Sequence, residues 1–155
     1  AGVAFSHQPS LFNNGMAVSV LSTAVSKCSM PFSDAFIKGI LCNFLVCIAV
    51  WISFAAKEVV SKIVGLFFPI MMFVLCGFEH SIANMYYISS GLFAKTNATY
   101  VQAATDAGVD LTNLTWGNFF SKNLLPVTLG NIVGGAICVG CAYWFIYLRK
   151  AKKAA

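Results

Sequence analysis

Charge is scarce in this chain and acid is scarcer still: its 155 residues include five Asp and Glu, ten Lys and Arg, and two His. So thin a supply excludes most soluble catalytic chemistry. Apart from Glu79 beside His80, no Ser-His-Asp, His-Glu-x-x-His or metal-ligand spacing appears. No catalytic residue, cofactor or metal is therefore expected. A basic face with interleaved aromatics is also missing, so the net charge of +5 does not point to nucleic acid. What is present is apolar: 59% of residues are hydrophobic and only 10% are charged. The charges fall in blocks that leave 18 uncharged residues between Lys38 and Lys57 and 26 between Lys122 and Arg149. Between Lys62 and Lys95 lie 32 residues interrupted only by Glu79 and His80. A hydrocarbon core needs about 20 residues of helix, so each window can cross a bilayer. The expected fold is an all-α integral membrane protein with three transmembrane helices, at about 33–56, 63–94 and 120–148.

Glu79 and His80 are the main clue to function. An ionisable side chain at bilayer depth costs roughly 2.5–3.5 kcal/mol on insertion scales, and chains that retain one generally use it to handle an ion or a proton. The pair is read as the centre of a transport pathway. Asn43 is the one amide at depth in the first window, with two readings open: glue between helices, or a contact to substrate. The second window is too long for a straight span, because 32 residues of helix would extend about 48 Å against a core of about 30 Å. It is expected to break. Pro69 can kink it, and Gly77, beside the Glu-His pair, is the better site for an interruption. Non-helical backbone at that depth survives only where it lines a cavity or is buried in protein. A half-helix starting near Ser81 would present free N–H groups and its positive dipole end to an anion, with His80 at its mouth and Asn84 a turn further on. In the third window, Gly130 and Gly134 flank Asn131 at the small-xxx-small spacing that lets helices approach closely.

The remaining features set topology. Lys57, Lys62, Arg149, Lys150, Lys152 and Lys153 crowd two short segments, which the positive-inside rule assigns to the cytoplasm, together with the carboxyl terminus. Tyr143, Trp144 and Tyr147 form the aromatic belt expected just before Arg149. Residue 1 is then external, yet the opening Ala1-Gly2-Val3-Ala4-Phe5 has no export signal, so an upstream portion with further spans is expected. Residues 1–32 are read as an external polar loop with a turn at Asn14-Gly15 and His7 as a loop histidine, followed by a helix at Met16–Cys28 that lies at the interface or closes the preceding span. Ser33-Asp34 offers an N-cap and an acidic first turn to the first certain span. Asn97-Ala98-Thr99 and Asn113-Leu114-Thr115 are glycosylation-type triplets, which mark the 95–122 loop as polar and external. The six Cys fit buried free thiols, and the Cys138–Cys141 spacing lacks the strand context of a redox motif.

Three stretches in order carry a resemblance. They are Phe78-Glu79-His80-Ser81-Ile82-Ala83-Asn84-Met85, the upstream Leu41-Cys42-Asn43-Phe44-Leu45-Val46-Cys47-Ile48-Ala49-Val50-Trp51, and the downstream run from Lys122-Asn123-Leu124-Leu125-Pro126 to Gly134-Gly135. Together they resemble the formate/nitrite transporter family over most of residues 33–149. The resemblance implies a six-helix, aquaporin-like pore of two inverted three-helix repeats, of which this chain is the second, its middle helix broken at Gly77–His80. It implies a homopentamer in the inner (plasma) membrane, with the lipid bilayer and the N-terminal half of the same protein as partners. Carried over by position, His80 matches the central pore histidine, Asn43 an amide that helps hold the anion near it, and Phe73 an aromatic of a hydrophobic constriction. Glu79 matches the carboxylate that ties the broken-helix loop together, with Asn84 and Gly77 as its supports and Gly130, Asn131 and Gly134 in helix packing.

The implied cargo is a small monovalent anion of a weak acid: formate, nitrite or hydrosulfide. Formate-type members commonly carry an Ile-Pro pair and then Gly after the Asn-Met motif, where this chain has Ile88-Ser89-Ser90-Gly91. A structural subunit of a membrane complex and a membrane-embedded enzyme are the competing readings. Flux in liposomes separates them, since a channel moves anions unchanged, an enzyme alters its substrate and a structural subunit does neither.

Overall fold

The structure is a computed structural model that describes residues 13–149. His7, the expected loop up to residue 12 and the basic tail at 150–155 lie outside the described residues. Within them every regular element is helical. The elements are α1 (Asn14–Cys28), α2 (Phe32–Ala55), α3 (Val59–Leu75), α4 (Ser81–Ala94), α5 (Ala98–Asp106) and α6 (Trp116–Leu148). In α6 a purely α stretch, Leu125–Ile132, is bounded by π-helical runs at Phe119–Leu124 and Val133–Cys141, with another at Trp144–Leu148. The chain divides into two compact units, residues 1–32 with 81–126 and residues 33–80 with 127–155.

The first unit is built on α1, α4, α5 and the start of α6. Asn14-Gly15 is not a turn: Asn13 caps α1 by accepting the Met16 N–H at 2.9 Å, which draws Asn14 and Gly15 into the first helical turn. Ala17, Leu21, Ala24 and Cys28 recur at helical spacing and are fully buried. They join Ile88, Leu92, Tyr100, Ala104, Leu114 and Phe119 in one apolar core. Gly91 lets α4 approach α1 closely, since a Cβ there would run into that of Ala24. Inside this apolar setting the Asn84 amide donates to the Asn123 oxygen at 2.9 Å, and Asn123 donates to the Lys27 carbonyl at 3.1 Å.

The glycosylation-type triplets of this unit have a structural use. Asn97 caps α5 by accepting from the Thr99 N–H at 3.0 Å, and Thr115 caps α6 by accepting from the Asn118 N–H at 3.1 Å. Lys95 holds the connection between those helices, donating to the carbonyls of Leu111 and Leu114, each at 2.9 Å. In the same loop Asp110 accepts from the Thr112 hydroxyl and N–H, and these bonds hold its carboxyl below the usual carboxylate range.

The second unit is built on α2, α3 and the rest of α6. A Cβ at Gly130 would sit on the Phe36 carbonyl and one at Gly134 on that of Ile40, while one at Gly39 would stand 2.8 Å from the Val127 carbonyl. The two backbones therefore touch through glycine. Trp51 stacks on Tyr143 with centroids 3.8 Å apart, and Tyr143 stacks on Tyr147 at 5.7 Å. By contrast, α3 buries no residue, leaving Ile63, Phe67, Val74 and Leu75 all more than half exposed. Such a surface is unsuited to water and suited to lipid or to further protein.

Among the described residues two helices are long and apolar enough to cross a membrane, Phe32–Ala55 and Trp116–Leu148, with only 22% and 33% of their most apolar windows buried. The long second window forms the two shorter helices α3 and α4, of 17 and 14 residues. The cysteines only partly fit the expectation of buried thiols. All six are free, but Cys76, Cys138 and Cys141 are exposed, while Cys28 and Cys42 are buried.

Candidate functional site

The interruption after α3 is written into its last residues. Gly77 has φ of +62°, a left-handed conformation that costs an ordinary residue about 1–2 kcal/mol. With Gly77 in that shape, its N–H reaches the Val74 carbonyl at 3.1 Å and the Phe78 N–H reaches back to that of Phe73 at 3.0 Å. This pair of bonds is a Schellman closure, which satisfies carbonyls left over at a helix end. Pro69 lies inside α3 and does not end it. A Cβ at Gly77 would meet nothing within 4 Å, so the constraint there is backbone conformation and not space.

Beyond Gly77 the chain runs non-helically to His80 and is held by hydrogen bonds to its main chain. The Asn131 amide, 7% exposed, donates to the Gly39 carbonyl at 2.9 Å and to the Glu79 carbonyl at 3.0 Å. One side chain thus ties α2, α6 and the interruption together. The Glu79 N–H points to the Lys38 carbonyl at 3.4 Å, and Glu79 is itself 3% exposed. Asn131's own carbonyl accepts from the Asn43 amide at 2.7 Å. That amide lies where a Cβ on Gly135 would run into it, so Gly135 is the space in which it sits. The recorded bond of Asn43 is helix to helix, the first of its two readings.

His80 is half-buried, and its ring centroid lies 6.1 Å from that of Phe73 at 34°. The six residues between them fold so that the last turn of α3 delivers an aromatic face beside an imidazole. An imidazole can donate or accept one hydrogen bond and can take up a proton near neutral pH, whereas a phenyl ring offers only an apolar wall. Together they suit a narrow point at which a small polar species loses water.

Asn43, Phe73, Gly77, Glu79, His80, Gly130, Asn131 and Gly134 fall in the second unit, and Asn84 falls in the first, on Asn123. Sequence reasoning missed Gly39, Gly135 and Asn123. The glycines carry a usable signal, because Gly inside an apolar helix costs about 1 kcal/mol against Ala and so calls for a packing reason. Asn123 carries none beyond being a second amide at depth.

Comparison with known proteins adds the following. A family model described as formate/nitrite transporter matches residues 1–145. The probable formate transporter of Methanothermobacter thermautotrophicus is 45% identical over 122 residues, 79% of this chain and 38% of that protein. The formate channel FocA of Escherichia coli strain K12 is 42% identical over 140 residues, 89% of this chain and 49% of that one. Among solved structures, a pentameric formate channel with formate bound aligns with a TM-score of 0.76 at 39% identity, covering 88% of this chain and 55% of its own. An ion channel of the FNT family aligns with a TM-score of 0.64 at 32% identity, covering 82% and 45%. The chain spans about half the length of the curated relatives it matches, or less.

Proposed function

The chain belongs to the formate/nitrite transporter family, and we propose that it supplies the second three-helix repeat of a membrane channel for a small monovalent anion of a weak acid. Formate, nitrite and hydrosulfide fit that description. In this reading α3 and α4 are the halves of one broken span, the third crossing alongside α2 and α6. His80 stands in the anion's path, Phe73 contributes to a hydrophobic constriction, and Asn43 reaches the path when its amide turns from the Asn131 carbonyl. The carboxyl terminus is cytoplasmic, the N-terminal half of the same protein completes the pore, and five copies assemble in the inner membrane.

The observation that carries this reading is the pairing of His80 with Phe73 at a helix interruption whose backbone is pinned by Asn131. A rigid interruption keeps an imidazole at one depth, and an apolar ring beside it strips water from whatever passes. The anion is drawn in by charge and crosses the apolar point fully or partly neutralised by proton sharing with the imidazole. Glu79 is assigned to holding the loop, because a fixed carboxylate facing the path would repel the cargo. No step makes or breaks a covalent bond in the cargo, in keeping with relatives that bear the names of channels and transporters.

The test is anion flux in liposomes reconstituted with the whole protein. His80→Phe should abolish or strongly reduce flux of formate, nitrite and hydrosulfide while the oligomer still forms. Unchanged flux of all three would remove His80 from the path, and chemical conversion of any of them would replace the channel by an enzyme.

A further inference from the structure

The first unit contains a cavity to which the reading above gives no role. It has a volume of about 160 Å3 between α1 and α4 and is lined by Ser19, Val20, Thr23, Tyr86, Tyr87 and Ser90. By volume it has room for about five waters at roughly 30 Å3 each. Ser90 is 2% exposed, and its buried hydroxyl has no hydrogen-bond partner. A helical serine ordinarily escapes this by donating to the carbonyl four residues back, as Ser89 does to Met85 at 2.5 Å. An unpartnered buried hydroxyl is costly and calls for a ligand.

The lining defines that ligand. No charged side chain contributes to it, so an ion would enter without compensation. The hydroxyls of Ser19 and Thr23 have committed their protons, to the carbonyls of Gly15 at 3.2 Å and of Ser19 at 2.8 Å, and present only acceptor lone pairs. Ser90 still has a proton to donate. A site with acceptors on one wall and a donor on the other complements a group that both donates and accepts, which is a neutral hydroxyl. The rest of the lining, Val20 and the edge-to-face pair Tyr86 and Tyr87 with centroids 5.9 Å apart, suits an apolar body.

We propose that this cavity is a binding site for a small amphiphilic alcohol whose hydroxyl bridges Ser90 to Ser19 and Thr23 and whose hydrocarbon part lies against the two tyrosines. The hydroxyl can come from a free short-chain alcohol or from the glycerol of a lipid. The probe is a short alkanol bearing a diazirine, photolysed with the whole protein in nanodiscs, the label then being mapped by mass spectrometry. Labelling of Thr23, Tyr86 or Tyr87 should saturate. Ser90→Ala should raise the half-saturating concentration about fivefold, as loss of one net neutral hydrogen bond implies, and Ser90→Thr should restore it. Should Ser90→Ala fail to assemble, Thr23→Val removes an acceptor from the opposite wall and is expected to weaken labelling similarly. Competition by unlabelled alkanol identifies a free alcohol, and competition by monoacylglycerol alone identifies a lipid. Labelling at these residues that does not saturate, or that is indifferent to both Ser90→Ala and Thr23→Val, overturns the proposal.

Discussion

Each unit of the molecule hides an asparagine among apolar helices, and the two are used differently. In the first, Asn123 accepts from another side chain, Asn84, and donates to the Lys27 carbonyl. The same unit has an apolar core that includes Leu21, Ile88, Tyr100 and Phe119. In the second, Asn131 spans two main-chain carbonyls, and the helix beside it is joined through Gly39, Gly130 and Gly134, where no side chain can adjust. A polar pair can be replaced as a pair. A carbonyl cannot be mutated away, so the second arrangement holds backbone through both of these bonds, where the first links α4 to α6 by a side-chain pair and α6 to α1 by one carbonyl.

The largest expected effect follows from that contrast. Asn131→Leu removes its bonds to the Gly39 and Glu79 carbonyls, at about 1 kcal/mol for each bond lost, and releases the interruption from α2 and α6. Thermal melts of the purified oligomer should show a marked loss of stability together with loss of anion flux. A melting curve like that of the wild type would mean the interruption is held by something else. Next comes Asn123→Leu, which takes away the acceptor of the Asn84 amide and the donor to the Lys27 carbonyl. Adding Asn84→Leu should recover on the order of 1 kcal/mol, because the stranded partner is then removed as well. If the double variant is instead the sum of the singles, the first unit is as inflexible as the second and the contrast fails.

Gly77→Ala should cost about 1–2 kcal/mol through the left-handed backbone alone, with no clash to add to it. Its effect should be smaller than that of Asn131→Leu, and on flux it should act by displacing His80. The smallest effect is expected in the loop of the first unit. Asp110 has a lowered pKa in the folded protein, so its contribution is in place at neutral pH and is lost as the pH falls through the lowered value. Proteolytic nicking between Gly108 and Thr115 should therefore increase in acid, and Asp110→Asn should nick equally at both pH values. A wild-type loop that nicks no faster in acid would remove that contribution.

The helical windows could be read from sequence because charge spacing is a one-dimensional signal, and so could the lapse near Gly77, since 32 apolar residues outrun a bilayer. Gly130 and Gly134 were legible by their spacing. Their partners were not: that Asn131 should grip the carbonyl of Glu79, 52 positions away, leaves no trace in periodicity or composition. Asn14-Gly15 misled for a related reason, because the dipeptide favours a turn in isolation while Asn13 was at hand to cap a helix. In the sequence Lys95 marks only the end of a window, and its two carbonyl partners are visible only once the loop is folded. Interactions with the main chain are the least legible class, because every residue offers the same carbonyl.

The π-helical runs of α6 bear on how this helix can vary between relatives. Each i to i+5 closure takes one residue more into a turn than an α closure does, so gaining or losing such a turn absorbs a single inserted or deleted residue without breaking the helix. These runs lie on either side of Leu125–Ile132, the α stretch that holds Gly130 and Asn131 in place. Length changes are therefore tolerable before Asn123 and beyond Gly135 and damaging between them, where the packing glycines and both asparagines lie. In an alignment of relatives, gaps in this helix should cluster on the two flanks and leave the Gly-Asn register intact.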